Sequence, residues 1–508
     1  MKNKLLAVFV VLILSSPGLF ALFHPGFFAT DDGSWMIVRF SAFYDALKHG
    51  QFPVRYLTRL NFGYGYPVAD FLYPLFLYLG VPIKIIGFSF INTIKIIFGV
   101  SLVLSAIFSF FWLKKRFSYL AAITGAVAYA LFPYHLWDIY KRGSVGEVLA
   151  LAIVPFILWQ IERGSIALVA IGIGLLITAH NVMALFFLPI AILYAYLLKK
   201  FSLKHIIITT ILGLGLSAFF WFPALMDKQY TVFDSIKVSS ITSYFLQIKD
   251  YILFGFISMI AVVQSVFYIK NKDKSFLFFF ILGVLSILFT FSITKMIWEI
   301  VPGTNLIQFP FRLLSITTLS VSFLVAYNIE QINKSKKLFL TGVYILIIFL
   351  STWNVLLPRY FENYPDTYYS TNVDSTTVKN EYLPKWVKDE PTTLPTEKVQ
   401  IISGVATISA LQANPNKVTF TVSANTPATI RINIIYFPGW KVYVDDKMYP
   451  FSYDNPMGVI DFVTKSGTQT VRVQFSETIA RLISDIVSAL FVVAVICMII
   501  LERKKFKL

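Results

Sequence analysis

The sequence predicts a polytopic α-helical membrane protein of about twelve transmembrane helices with a C-terminal all-β domain, sandwich- or jelly-roll-like, outside the bilayer. Three observations carry that prediction. The chain of 508 residues is 57% hydrophobic and only 14% charged, with a mean hydropathy of +0.70, whereas soluble domains carry about 25% charged residues. Apolar runs of roughly 15 to 22 residues recur along it, close to the length a helix needs to cross a bilayer. Beyond residue 399 the pattern changes to period-two alternation rich in β-branched residues, which marks strands.

In chain order the expected spans lie near 5–23, 91–113, 118–134, 147–161, 165–179, 181–198, 206–226, 251–269, 275–293, 310–330, 338–357 and 481–501. The first follows Lys2 and Lys4 and could pass for a signal peptide ending near Ser15-Ser16-Pro17. Its apolar run continues through Leu19 to Phe23, which favours an uncleaved helix. Basic clusters punctuate the spans at Lys114-Lys115-Arg116, Lys199-Lys200, Lys270 to Lys274, Lys334 to Lys337 and Arg503 to Lys507. The positive-inside rule puts all of these clusters in the cytoplasm if the segment 67–88 is interfacial or re-entrant. An even number of crossings follows, with both termini cytoplasmic in a plasma membrane. The formal net charge of +17 is therefore mostly a topology signal with attraction to anionic membrane lipid, and no nucleic-acid partner is expected. The lone Cys497 excludes an intramolecular disulfide and a thiolate metal cluster.

This topology divides the chain into a transmembrane domain 1–357 with a first exported loop 24–90, an exported connector and β domain 358–478, and a final span with basic tail 479–508. In the first loop Trp35, Val38, Ala42, Phe43, Ala46 and Leu47 form a stripe at helical spacing, read as a helix lying on the membrane surface. The stretch 363–395, rich in Tyr, Thr, Asp and Pro, reads as an irregular connector. Strands are expected over 399–411, 417–423, 429–436, 441–444, 459–463 and 470–475, separated by turns such as Asn414-Pro415-Asn416 and Asp445-Asp446.

Candidate chemistry gathers on the exported side. Asp31 and Asp32 follow the first span directly, where a carboxylate either caps the next helix or serves as an acid or base for an amphiphilic substrate. Arg142 and Arg312, with Arg55, are placed to bind phosphate, since guanidinium meets phosphate oxygens bidentately; the plainer reading of Arg142 is an ion pair with Glu147. Arg39, Tyr64, Tyr66, His135, Asp138, Glu147, His180 and Asn181 complete a candidate substrate surface. No His-x-x-x-His or carboxylate array marks a metal site. The metal assignment stays open: no cofactor is certain, and a divalent cation, if used, would be held chiefly by Asp31, Asp32 and substrate phosphate.

The order of these motifs resembles a known group. Asp32-Gly33-Ser34-Trp35, Arg39, Gly50 to Arg55, Asn61 to Pro67, Tyr73-Pro74-Leu75, Phe132 to His135, Arg142-Gly143 to Glu147, His180-Asn181, Phe309 to Arg312 and Tyr436 to Asp445 together look like large bacterial membrane proteins grouped with YfhO. Some of these are labelled 6-pyruvoyl-tetrahydropterin synthase-related, and they are similar to the GT-C superfamily of glycosyltransferases. The resemblance covers most of the chain. It implies a GT-C-like transmembrane domain and a donor sugar on polyprenyl phosphate. The acceptor would be extracytoplasmic: a cell-envelope glycan, a lipid or a protein. It implies that Asp32 is the catalytic carboxylate, with Asp31 in a metal, acceptor or capping role, and that the aromatic first loop and the spans 181–198, 206–226 and 251–269 form a lipid groove. Members of the group often carry His-Asp and a further His a turn later, where this chain has Asp31-Asp32 and Met36, so the base and the metal requirement stay open. A non-catalytic envelope scaffold and a transporter of lipid-linked glycan are the rival readings.

Overall fold

A computed structural model describes residues 2–505 apart from 237–240, 272 and 302. Lys272 and Lys507 of the basic clusters lie outside the described residues. Helix α1 (Lys2–Ser15) runs on as a 3-10 turn to Phe23, and a two-residue strand β1 (Phe27–Phe28) follows. The first loop then holds α2 (Gly33–Lys48), α3 (Val68–Phe71) and α4 (Leu75–Ile85). The helical body comprises α5 (Phe90–Leu113), α6 (Tyr119–Ala130), the short α7 (Pro133–Trp137), α8 (Val145–Arg163), α9 (Ile166–Ala179), α10 (Asn181–Leu197), α11 (Leu203–Leu216) and α12 (Ala218–Asp227). It continues with α13 (Gly255–Val266), α14 (Lys274–Leu288), α15 (Lys295–Ile300), α16 (Leu314–Glu330) and α17 (Lys334–Thr352).

Helix occurs within each of the twelve expected spans, but fewer of these helices reach the length of a crossing. Among the described residues, seven helices are long and apolar enough to cross a membrane, and α11 with α12 would make an eighth across a 70° bend. Helices α9, α10, α13 and α14 are shorter apolar rods, as is α4, whose eleven residues fall below the length of a crossing. The helices pack by burying small and hydroxylated side chains. In α16, Ser315, Thr317, Thr318, Ser320 and Ser322 are all buried, and the Ser322 hydroxyl donates to the Gly125 carbonyl of α6 at 2.8 Å. Such small residues let backbones approach closely, and all but Ser320 among them keep the hydroxyl bonded.

Strand β2 (Phe361–Glu362) pairs antiparallel with β1, and α18 (Asp366–Thr371) opens the connector. The β domain follows: β3 (Val399–Ser403), β4 (Ala406–Asn414), β5 (Lys417–Ala424), β6 (Thr429–Ile435), β7 (Trp440–Val444), β8 (Lys447–Tyr449), β9 (Val459–Val463) and β10 (Gly467–Phe475). The last helix is α19 (Ile479–Lys505). Sheets ordered β4-β5-β10-β7-β8 and β3-β6-β9 close on a common core that includes Phe420, Ile432, Trp440, Ile460 and Val473, which makes a sandwich. Strand β5 alternates buried and half-buried residues along its whole length, the pattern of a sheet with one face in a core. The single strand expected over 399–411 is two, because Gly404 at φ +86° turns the chain from one sheet to the other.

Helix α2 departs from expectation. It does not lie on a surface with one face down, since Ile37, Val38, Phe40, Ser41, Ala42 and Phe43 are all buried. The connector covers its second side: the Ser41 hydroxyl donates to the Tyr369 carbonyl (3.0 Å), and Arg59 donates to the carbonyls of Ser370 (2.5 Å) and Asn372 (3.1 Å).

Candidate functional site

The turn after α7 supplies the site's backbone frame. Asp31 N–H donates to the Lys141 carbonyl (3.0 Å) and Asp32 N–H to the Arg142 carbonyl (2.8 Å), so the aspartate pair is strapped to the segment that presents Arg142. Gly143 makes this approach possible. It sits at φ +71°, and a Cβ there would fall 2.6 Å from Gly33 N, a distance no side chain accommodates.

Glu147, on the first turn of α8, is the hub of the charges. One of its oxygens lies 2.6 Å from Arg142 Nη1, 2.9 Å from Arg312 Nε and 3.7 Å from His180 Nε2; the other accepts from the Tyr134 hydroxyl at 3.0 Å. Arg142 also pairs with Asp138 at 2.9 Å, and the second Asp138 oxygen is buried without a hydrogen-bond partner among the described residues. Arg312 donates further to Gln308 Oε1 at 2.8 Å. Trp137, Phe309 and Phe311 surround the Arg142 guanidinium at 5.3 to 5.9 Å from their ring centres. Two guanidiniums and two carboxylates thus neutralise each other in a nearly dry setting, where an unpaired charge would be costly.

Asp32 stands at the mouth of this network. Its carboxylate is 4.0 Å from Arg142 Nη2, with 37% of the side chain exposed. It heads α2 by its backbone, but its side chain makes no capping bond; the Thr30 hydroxyl accepts from Gly33 N–H instead, at 2.9 Å. The capping reading of the Asp32 side chain therefore fails. Asp31 points the other way, to Arg359 at 3.5 Å, and is half exposed. Burial raises its carboxyl above the usual range, against the pull of Arg359.

The sequence-derived set thus divides. Asp32, Asp138, Arg142, Glu147, His180 and Arg312 are brought together. Arg55 is not: it pairs with Asp485 (2.8 Å), Glu477 (3.5 Å) and Asp70 (3.6 Å), beside a second buried pair of Arg481 with Asp227 (2.8 Å). That cluster ties the first loop to α12 and α19, and its four carboxylates outnumber its two guanidiniums. Arg39 is held by the connector, through both the hydroxyl (3.0 Å) and the carbonyl of Thr376. Tyr64 accepts from Ile435 N–H of the β domain (2.8 Å), and the Tyr66 hydroxyl joins Thr377 (2.9 Å), so both dock the loop. His135 is buried with Nδ1 3.2 Å from the Tyr129 carbonyl. Asn181 is exposed beside His180, whose Nδ1 accepts from Met183 N–H.

Tyr73 was not on the sequence-derived list. Its ring lies 4.6 Å from that of His180. Burial pushes its phenol up to about 12, with Arg39 pulling it down and Asp32 and Glu147 adding to the rise. The Tyr73-Pro74-Leu75 motif was the available signal. Among the described residues no group of three His, Cys, Asp or Glu side chains is disposed to hold a metal ion. The apolar groove lies between α4, α9, α11, α12 and α19, with a volume of about 330 Å³. Of the elements expected to form it, the aromatic loop contributes Pro74 and Leu75 and the span 206–226 contributes Leu216 and Phe219; α10 and α13 do not line it.

An uncharacterised protein of Lactococcus lactis subsp. cremoris (strain MG1363) is 27% identical over 248 residues, which are 44% of this chain and 40% of that protein. The apo crystal structure of the Archaeoglobus fulgidus oligosaccharyltransferase aligns with a TM-score of 0.48 at 12% identity, over 74% of this chain and 57% of its own. The cryo-EM structure of the arabinofuranosyltransferase AftD from Mycobacteria aligns with a TM-score of 0.45 at 16% identity, over 70% and 27%. This chain thus spans two fifths of the curated relative and between about a quarter and three fifths of those structures. The family described as 6-pyruvoyl-tetrahydropterin synthase related domain, membrane protein, matches residues 70–357, more than half of the chain. The protein belongs to that family of membrane proteins.

Proposed function

We propose that this protein is a membrane glycosyltransferase that moves a sugar from a polyprenyl-phosphate carrier to an acceptor on the exported face. The observation that carries the reading is the Asp32 carboxylate, free of any capping bond and open to solvent, 4.0 Å from a buried arginine that Glu147 and Asp138 hold in place. A base needs access to the acceptor hydroxyl, and a leaving phosphate needs fixed positive charge. In the reaction the acceptor oxygen bonds to the anomeric carbon as the bond from that carbon to the phosphate oxygen breaks. The acceptor proton passes to Asp32, and the electron pair leaves with the polyprenyl phosphate, which Arg142 and Arg312 stabilise. Arg55 is left out of this step because it lies with Asp70, Glu477 and Asp485 and is not among the side chains gathered beside Asp32. The motif order of the first loop, which resembles YfhO-type membrane proteins similar to the GT-C superfamily, supports the same assignment.

The test is sugar transfer by purified protein from polyprenyl-phosphate sugars, comparing wild type with Asp32→Asn and Asp31→Asn. Asp32→Asn is expected to lower the rate about 10²- to 10⁴-fold, with a smaller effect at Asp31. Equal rates in all three would remove Asp32 from the chemistry, and no transfer by wild type across a range of donors would favour a scaffold.

A further inference from the structure

Helix α14 stops short of a full crossing. Charge marks its start, where Lys270, Asp273 and Lys274 lead into the helix and the Asp273 carboxylate caps it by accepting from Ser275 and Phe276 N–H. Its fifteen residues rise about 22 Å, against a hydrocarbon core of about 30 Å. With the charged end at one membrane surface, the chain beyond Leu288 leaves the helix about 8 Å below the other. The segment that follows has to suit hydrocarbon.

Its outer side does. Ile281, Leu285 and Leu288 form an exposed apolar row along α14. The exposed apolar surface continues in Ile293, Met296 and Ile300, which are 84%, 70% and 65% exposed. Lys295 and Glu299, one helical turn apart in α15, pair with each other at 3.6 Å, so the helix presents no net charge. On the inner side Trp298 is buried, its ring 6.2 Å from that of Phe245.

The backbone of the turn points the same way. Trp298 Nε1 donates to the Phe289 carbonyl (3.0 Å), the Thr294 hydroxyl to the Phe291 carbonyl (2.9 Å) and the Thr304 hydroxyl to the Trp298 carbonyl (2.7 Å). At a watery surface solvent can serve such carbonyls, whereas in lipid each must be satisfied from within the protein. The turn also borders the candidate site, because the Ile307 carbonyl and Gln308 Oε1 just beyond it accept from Arg312 Nη1 at 3.0 and 2.8 Å.

We propose that residues 292–301 are seated in the bilayer leaflet at the Arg312 end of the protein, with Ile293, Met296 and Ile300 among the acyl chains. The partner of this surface is lipid hydrocarbon, and the inference does not depend on the sugar transfer proposed above.

The test places one nitroxide at a time on a Cys497→Ser background, in phosphatidylcholine nanodiscs. Ile293→Cys, Met296→Cys and Ile300→Cys are compared with Leu285→Cys on α14 and Met448→Cys in β8. All five positions are exposed, so the substitutions should leave stability within about 0.5 kcal/mol of the parent. Power saturation reads collisions with oxygen, which concentrates in hydrocarbon, and with a nickel chelate, which stays in water. The three labels should behave like the Leu285 label, losing the nickel collisions seen at Met448, at a depth of about 5–10 Å. Nickel collisions at the three sites as frequent as at Met448, or at Leu285 as well, overturn the proposal. So does protection from both reagents, which would mean that a second copy of the chain covers the turn. The same labels on Asp32→Asn should give the same readings.

Discussion

Arg142 and Glu147 form an ion pair of 2.6 Å in which the arginine side chain is 5% exposed and the carboxylate fully buried. The same carboxylate serves Arg312 and His180, so its removal leaves two buried guanidiniums short of charge. Breaking a buried pair from one side costs about 3–5 kcal/mol. Glu147→Ala should therefore lower the thermal unfolding temperature of the detergent-purified protein strongly. Glu147→Gln, which keeps an acceptor for Tyr134, should fall between that variant and wild type. A Glu147→Ala protein as stable as wild type would show that the network contributes nothing to the fold.

The start of α2 allows structure and chemistry to be separated. Because Thr30 carries the capping bond to Gly33, Thr30→Ala should cost about 1 kcal/mol. Asp32→Ala should cost less, within the range of about 0.5 kcal/mol usual for exposed positions. The ranking should reverse for sugar transfer. Unfolding curves in which Asp32→Ala is the more damaging would restore the cap to Asp32.

Around Arg55 the imbalance of charge predicts opposite signs for two substitutions. Neither oxygen of the fully buried Asp70 has a hydrogen-bond partner among the described residues. Asp70→Asn removes one of the surplus negative charges and should be neutral or stabilising. Arg481→Met strips Asp227 of its guanidinium and leaves Asp70 with Arg55 alone, and should cost about 3–5 kcal/mol. Chemical unfolding of both variants reads the difference, and destabilisation by Asp70→Asn of the same size would refute the imbalance.

Lys398 gives the β domain a pH dependence. Its ammonium donates to the carbonyls of Gly63 (2.8 Å) and Asn433 (3.0 Å), joining the first loop to β6, and burial lowers its pKa from 10.5 to about 8. Between these two values the unfolded chain holds a proton that the folded chain has released, so this group makes stability rise with pH from about 8 to 10.5. Below that window its unfavourable contribution is constant. Unfolding temperatures measured across the range should show this component in wild type and lose it in Lys398→Met.

The helices were legible because a span announces itself by length and composition within one stretch of chain, and β5 and β10 were legible because alternation is local too. Arg142 with Glu147, five residues apart, and Arg312 beside its Phe-Pro-Phe were readable for the same reason. What failed was set by partners distant in sequence. Arg55 looked like a phosphate ligand because Asp70, Glu477 and Asp485 are ordinary acids in unrelated segments. The stripe on α2 suggested one buried face because nothing in residues 33–48 reports that the connector will cover the other. Strand β8, three residues long between Asp446 and Pro450, offers too little alternation to register.

The partners of the first loop also govern when it can be completed. Arg39 waits for Thr376, Gln51 for Asn416, Tyr56 for Ile435 and Asp31 for Arg359, each more than 300 residues downstream. At a synthesis rate of about 5–20 residues per second Asp31 leaves the ribosome roughly 15 to 70 s before Arg359, its side-chain partner. Contacts of such sequence separation form late. The earliest-made exposed segment is therefore among the last to settle, and a chain released before the connector is made would carry both aspartates and Arg142 without the segments that clamp the loop around them.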